Sequence, residues 1–153
     1  MGEHTNIKNS IQTAIKNMLE SDTYVSTNKV VVKIVNNDLK ELIEKMTAEL
    51  QRLIVIYKVD FTIKEHNVDY DEYLAKFRIQ VTENSKLVST LIGQELTSQV
   101  IASLNAYDLT SYSTYIGQMI LVDSNVDDYR NDFDDVEIKR FWIDCSIPII
   151  MTK

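Results

Sequence analysis

The side chains of this chain that could do chemistry are concentrated first in Asp123–Asp135, which reads DSNVDDYRNDFDD. Six aspartates and one arginine lie there, a local balance of −5. Counting from Asp123, the carboxylates or amides of Asp123, Asn125, Asp127, Asn131 and Asp134 and the carbonyl of Tyr129 fall at calcium-ligating positions. An EF-hand loop also wants glycine at its sixth place and glutamate at its twelfth; here these are Asp128 and Asp134, and the flanking residues read as strands. Three chemistries are therefore open: a calcium loop, a solvated hairpin loop, and an acidic contact for a basic surface, where charge complementarity governs docking. The third reading makes Asp123, Asp127, Asp128, Asp132, Asp134 and Asp135 candidate contacts to another subunit or partner.

His66, beside Glu65, Asp69 and Asp71, has the neighbours of a general base, but the same pattern describes a surface-loop histidine. Cys145 lies in a strand-like stretch and reads as a small core residue. A nucleophile needs a placed base, and no local pattern supplies one to either residue. Gly2, Gly93 and Gly117 are too isolated for a phosphate cradle, and one cysteine with two histidines makes no zinc pattern. No catalytic residue, cofactor or metal is expected.

Composition narrows the classes further. At 153 residues one domain, 1–153, is expected. The hydrophobic fraction of 44% and charged fraction of 25% are ordinary for a globular protein. A net charge of −7 argues against sequence-independent nucleic-acid binding, which needs a cationic face, and no signature of sequence-specific binding is present. The start MGEHTNIKNS has no basic region followed by an apolar run, and no stretch approaches the ~18 apolar residues of a membrane span. A single cysteine suits a reducing compartment.

The elements that must position these residues follow from periodicity. Thr5–Glu20 predicts a helix with a narrow apolar face, Ile7, Ile11, Ile15, Met18 and Leu19, packed on the outside of the domain or on another copy. Val25–Val35 predicts a strand. From Asp38 to Tyr57 apolar residues at Leu39, Leu42, Ile43, Met46, Leu50, Leu53, Ile54 and Tyr57 predict one long helix, with Asp38 and Glu41 as a capping box. Leu42, Met46, Leu50 and Leu53 should be buried there, and Lys40, Glu44, Lys45 and Arg52 wet. Its last residues, Leu53–Tyr57, are apolar all round, which fits a covered helix end or chain that has already turned extended. Val59–Glu65 and Tyr73–Val81 alternate and predict an antiparallel pair of strands. A third helix is expected from Asn84 or Ser85 to Tyr107, with Gly93 inside it for close packing on a neighbour. Tyr115–Val122 and Val136–Met151 predict the arms of a long C-terminal hairpin. On the second arm Glu137, Lys139, Phe141, Ile143, Cys145 and Ile147 share one side, and Val136, Ile138, Arg140, Trp142, Asp144 and Ser146 the other; Pro148 marks an edge or bulge. The expected fold class is α+β, a mainly antiparallel sheet packed by about three helices.

This order of elements, with the stretch YIGQMILVDSNVDDYRNDFDDVEIKRFWIDCSIPII from Tyr115 to Ile150, resembles the tail-terminator and head–tail joining proteins of tailed bacteriophages. The resemblance implies a non-enzymatic virion protein assembled in the host cytoplasm. It would form a homo-oligomeric ring, hexameric in the simplest case, between the tail tube and the head connector. Two other classes fit the same residues: a cytosolic homo-oligomeric binding module or adaptor, and a small enzyme with an unrecognised site. Oligomeric state separates the first from a ring, and a pocket with a convergent polar set would favour the second.

Overall fold

Two strands of 15 residues, Tyr70–Asn84 and Ile138–Thr152, pair antiparallel along their whole length, and the remaining elements are arranged around that ladder. The computed structural model describes residues 2–36, 40–66, 68–88, 90–105, 120–122, 129–130 and 138–152. In chain order the elements are α1 (Gly2–Ser21), α2 (Thr23–Thr27), β1 (Val31–Val35), α3 (Lys40–Glu49), β2 (Arg52–Tyr57), β3 (Asp60–His66), β4 (Tyr70–Asn84), α4 (Gly93–Leu104), β5 (Leu121–Val122), β6 (Tyr129–Arg130) and β7 (Ile138–Thr152). The sheet runs β1-β2-β4-β7-β5, with β3 also on β4 and β6 also on β7. Among the described residues every pairing is antiparallel except the parallel pair β1–β2, so the α+β expectation holds with a mixed sheet.

Register decides which side chains share a face, because residues paired across strands point the same way. Ile54, Ile56, Phe77, Ile79, Val81, Phe141, Ile143, Cys145 and Ile147 lie on one face, under Ile7, Ile11, Ile15 and Leu19 of α1, Val25 of α2 and Leu96, Val100 and Leu104 of α4. The opposite face carries a smaller apolar cluster, Leu53, Val55, Tyr57 and Ile138, under Ile43 of α3. On β4 and β7 the middle of that second face is mostly polar: Arg78, Gln80 and Thr82 stand opposite Asp144, Trp142 and Arg140. The alternation expected for both strands is therefore real, and it leaves a polar sheet surface beside α3.

Several expectations need correction. The helix expected over Asp38–Tyr57 is two elements: α3 ends at Glu49, and β2 begins at Arg52. β2 is an inner strand with helices over both faces, so all six of its residues are buried. A strand covered on both sides reads as a continuous apolar run, which periodicity cannot tell from a covered helix end. Leu53 is buried, Met46 and Leu50 are half-buried and Lys45 is exposed, but Arg52 is buried at 7% rather than wet. Asp38 and Leu39, and the side chains of Lys40, Glu41, Leu42 and Glu44, lie outside the described residues. Helix α1 is not peripheral; it is the main cover of the larger core, with Ile11, Ala14, Ile15 and Leu19 at 0% exposure.

The strand expected from Val25 starts only at Val31. Residues 23–27 form α2, capped by Asp22 and closed by Lys29 N–H to the Ser26 carbonyl and Val30 N–H to the Val25 carbonyl. That is the Schellman pattern, with Lys29 at φ 56° where glycine is usual. The C-terminal hairpin is also different. The long partner of β7 is β4, and the described part of the expected first arm pairs only Leu121 and Val122 with Ser146 and Cys145. Pro148 sits opposite Leu74 in an unshifted ladder rather than at a bulge, and on the far side of β7 no described residue pairs with it.

The third helix starts eight residues after Ser85, the later of the two expected starts. β4 continues to Asn84, residues 85–87 turn, and α4 opens at Gly93. Leu87 and Leu91, which fall inside the expected helix, are 43% and 46% exposed. Gly93 does pack closely: an added Cβ would lie 2.7 Å from Phe141 Cε2 and 3.1 Å from Glu83 Oε1. At the first helical position the propensity gain of Gly93→Ala is smaller than the ~1 kcal/mol of a helix interior, and it meets an overpacking cost of about 1–3 kcal/mol. The Phe141 ring is buried and stiff, so the variant should be less stable in urea unfolding. A gain in midpoint would show that the ring yields freely.

Candidate functional site

Two polar constellations stand out, and their different burial separates structure from function. The first joins Arg52 to Glu83, which face each other across β2 and β4. Arg52 Nε donates to Glu83 Oε2 at 3.0 Å, Nη2 to the Thr90 carbonyl at 2.8 Å and Nη1 to the Asn28 carbonyl at 3.3 Å. The Glu83 carboxylate also accepts the Ile92 N–H at 2.9 Å and the Gly93 N–H at 3.1 Å. A negative charge at a helix N-terminus satisfies orphan amides and matches the helix dipole. This buried pair is a staple that fixes α4 and the residues before it to the sheet.

A second staple is Asp22. Its Oδ1 accepts the Tyr24 and Val25 amides at 2.9 and 3.2 Å; its Oδ2 accepts Gln99 Nε2 at 3.2 Å and Ser103 Oγ at 3.1 Å. Burial pushes this carboxyl up, but the hydrogen bonds from Gln99, Val25, Ser103 and Tyr24 together outweigh it and hold the group below its ordinary 3.8. A depressed native value stabilises the fold above the unfolded value, and that contribution is lost as pH falls through the native one. The stability advantage of the wild-type chain over Asp22→Asn should therefore be full above 3.8 and shrink as pH falls below it. Urea midpoints across that range check this; a constant difference would show that the charge of Asp22 does not matter.

The second constellation is open to solvent. The polar part of the second sheet face forms a groove of about 510 Å³ between β2, β4 and β7. At its floor Gln80, fully buried, offers Oε1 to Tyr57 Oη at 3.1 Å, Arg140 Nε and Nη2 at 3.0 and 2.8 Å and Trp142 Nε1 at 2.9 Å. Gln80 Nε2 donates in turn to Thr82 Oγ1 at 3.0 Å. Two guanidiniums approach the Trp142 ring, Arg78 Cζ at 4.0 Å and Arg140 Cζ at 5.0 Å from its centroid. Arg78 also donates to Asp144 at 2.7 Å. At the rim, Gln12 of α1 holds Asn36 (Nε2 to Oδ1, 2.7 Å) and the Tyr57 carbonyl (3.1 Å).

Four cationic side chains, Lys58, Lys76, Arg78 and Arg140, line this groove against two carboxylates, Asp60 and Asp144, on a chain of net charge −7. Guanidinium and ammonium groups beside an aromatic face have the chemistry to receive a carboxylate or another anion, and the polar floor is rigidified by its own hydrogen bonds. The pattern Arg140, Trp142, Asp144 on one side of β7 was visible in the sequence. Its apposition to Arg78 and Gln80 was not, because that depends on the register of strands 60 residues apart.

The residues singled out from sequence are dispersed. His66 is on the exposed end of β3, with Nδ1 2.8 Å from Asp71 Oδ1 and its side chain 62% exposed, as a surface histidine would be. Cys145 is 2% exposed in the larger core, as its core reading expects. Asp123, Asp127, Asp128, Asp132, Asp134 and Asp135 lie outside the described residues. Between them Tyr129 and Arg130 pair with Phe141 and Arg140, so the segment returns to the sheet at its middle. Among the described residues no group of three or more His, Cys, Asp or Glu could hold a metal ion, and no helix is long and apolar enough to cross a membrane.

No family model and no curated protein matches this sequence. The fold, however, is similar to that of a chain in the virion of a native gene transfer agent particle. The TM-score is 0.59 at 13% identity, and the match covers 93% of this chain and 94% of that one. At that identity the likeness is one of fold.

Proposed function

We propose that this chain is a structural, non-enzymatic subunit of a phage-like virion, assembling as a ring that terminates the tail or joins it to the head. The observation that carries the reading is the fold likeness to a gene transfer agent virion chain, which extends over nearly all of both chains. A shared fold along the full length suits a subunit whose whole surface is used in packing against neighbours. Its partners are then further copies of itself, in the simplest case six, together with the tail tube and head connector. Its location is the virion, after assembly in the host cytoplasm. Asp123, Asp127, Asp128, Asp132, Asp134 and Asp135 act in this reading as charged contacts between subunits, since a run of like charges favours solvent or a basic surface.

The purified chain should close into rings at micromolar concentration, seen as one oligomeric mass by light scattering and as annuli in negative stain. Antibody to this chain should label purified particles at the head-proximal end of the tail. A stable dimer with unlabelled particles would replace this reading with a cytosolic adaptor.

A further inference from the structure

The groove over Trp142 is a cationic, aromatic surface on an otherwise acidic protein. We propose that it is the docking site for the acidic segment Asp123–Asp135 of a neighbouring copy, which rests on the ring reading above and names its charged junction. The first ground is complementarity. Four cations and two carboxylates line the groove, while the segment carries six aspartates and one arginine. The floor is preformed, because the hydrogen bonds to Gln80 hold Tyr57, Arg140 and Trp142 in place, and preorganisation lowers the ordering cost of binding.

The second ground is topology. β4 occupies one edge of β7 along its whole length, so β5 and β6 must pair on the other edge. Pairing of Tyr129 and Arg130 with β7 thus holds the middle of the segment in the sheet plane, on the side of β7 away from β4. The groove lies across that plane's face, between β2, β4 and β7. A segment anchored at the edge of one copy is placed to reach the face of the next. Such a junction is heterologous, one surface on each partner, and heterologous contacts that close make rings.

The test mixes two complementary variants. The first breaks the groove at solvent-facing positions, Lys58→Ala, Lys76→Ala and Arg78→Ala, and also carries Trp142→Phe. The second breaks the segment with Asp127→Asn, Asp128→Asn, Asp132→Asn and Asp134→Asn and keeps Trp142, the chain's single tryptophan. Circular dichroism and thermal melting establish that each is folded. Lys76→Glu alone, at an exposed position, replaces the first variant if the combined one melts early.

Neither variant alone should form rings. An equimolar mixture should give a heterodimer with one working junction, shift the Trp142 emission, and dissociate as salt rises. Rings formed by each variant alone, while wild-type chain also forms rings, would overturn this inference and leave the ring reading intact. Monomers that fail to pair on mixing would show that segment and groove do not meet between copies, and would overturn it too. Wild-type chain that forms no ring at all would overturn the ring reading itself.

Discussion

Arg52→Ala and Glu83→Ala should each destabilise the fold by about 3–5 kcal/mol, because each leaves the other partner buried without its counter-charge. The side chains are 8% and 2% exposed, so water cannot replace what is lost. The two changes differ in what else they orphan. Without Arg52, the Asn28 and Thr90 carbonyls lose their donor while Glu83 keeps the Ile92 and Gly93 amides. Without Glu83, the guanidinium keeps those two carbonyls but α4 loses its cap, worth a further ~1 kcal/mol. Glu83→Ala should then be the worse of the two, and Glu83→Gln, which still accepts hydrogen bonds, should lie between it and wild type. Urea unfolding measures all three. The double substitution Arg52→Met with Glu83→Leu should recover much of the single-variant loss, since an apolar pair of similar volume often replaces a buried ion pair at little cost. Strictly additive losses in the double variant would show that the two residues do not act as a pair.

Leu53→Ala and Ile54→Ala should each cost about 2–5 kcal/mol, although the two side chains point to opposite faces of the sheet. Both are at 0% exposure, Ile54 in the larger core and Leu53 in the cluster under α3. Equal damage at consecutive positions is the mark of a strand covered on both sides. Leu50→Ala, just before the strand and only half-buried, should cost less than either. If Val55→Ala, at 0% exposure but off the expected helical stripe, proved nearly neutral while Leu53→Ala, Ile54→Ala and Leu50→Ala were severe, the segment would be behaving as the continuous one-stripe helix that its spacing first suggests.

That comparison shows where local pattern stops. Elements with one apolar and one largely polar face could be read directly: the alternation of β4 and of β7, the antiparallel partnership of β3 with β4, and the core position of Cys145 all follow from period two. Helix α1 could be read as a helix, but not as the main lid of the core, since a narrow apolar stripe says nothing about how much sheet lies beneath it. β2 could not be told from a helix end, because burial on both faces erases the period. α2 was hidden because its stop is a Schellman closure with Lys29, not glycine, in the left-handed conformation.

The sequence by itself determined the α+β class, the sidedness of the long strands and the acidic balance of the Asp123–Asp135 segment. These depend on composition and on neighbours within one or two turns of chain. Tertiary structure alone decided that Glu83 caps a helix ten residues downstream, that Arg52 is buried, and that Arg78 and Gln80 meet Arg140 and Trp142 in one groove. Each of those follows from strand register. Register is set by the packing of whole faces against helices, and no window of local sequence contains it.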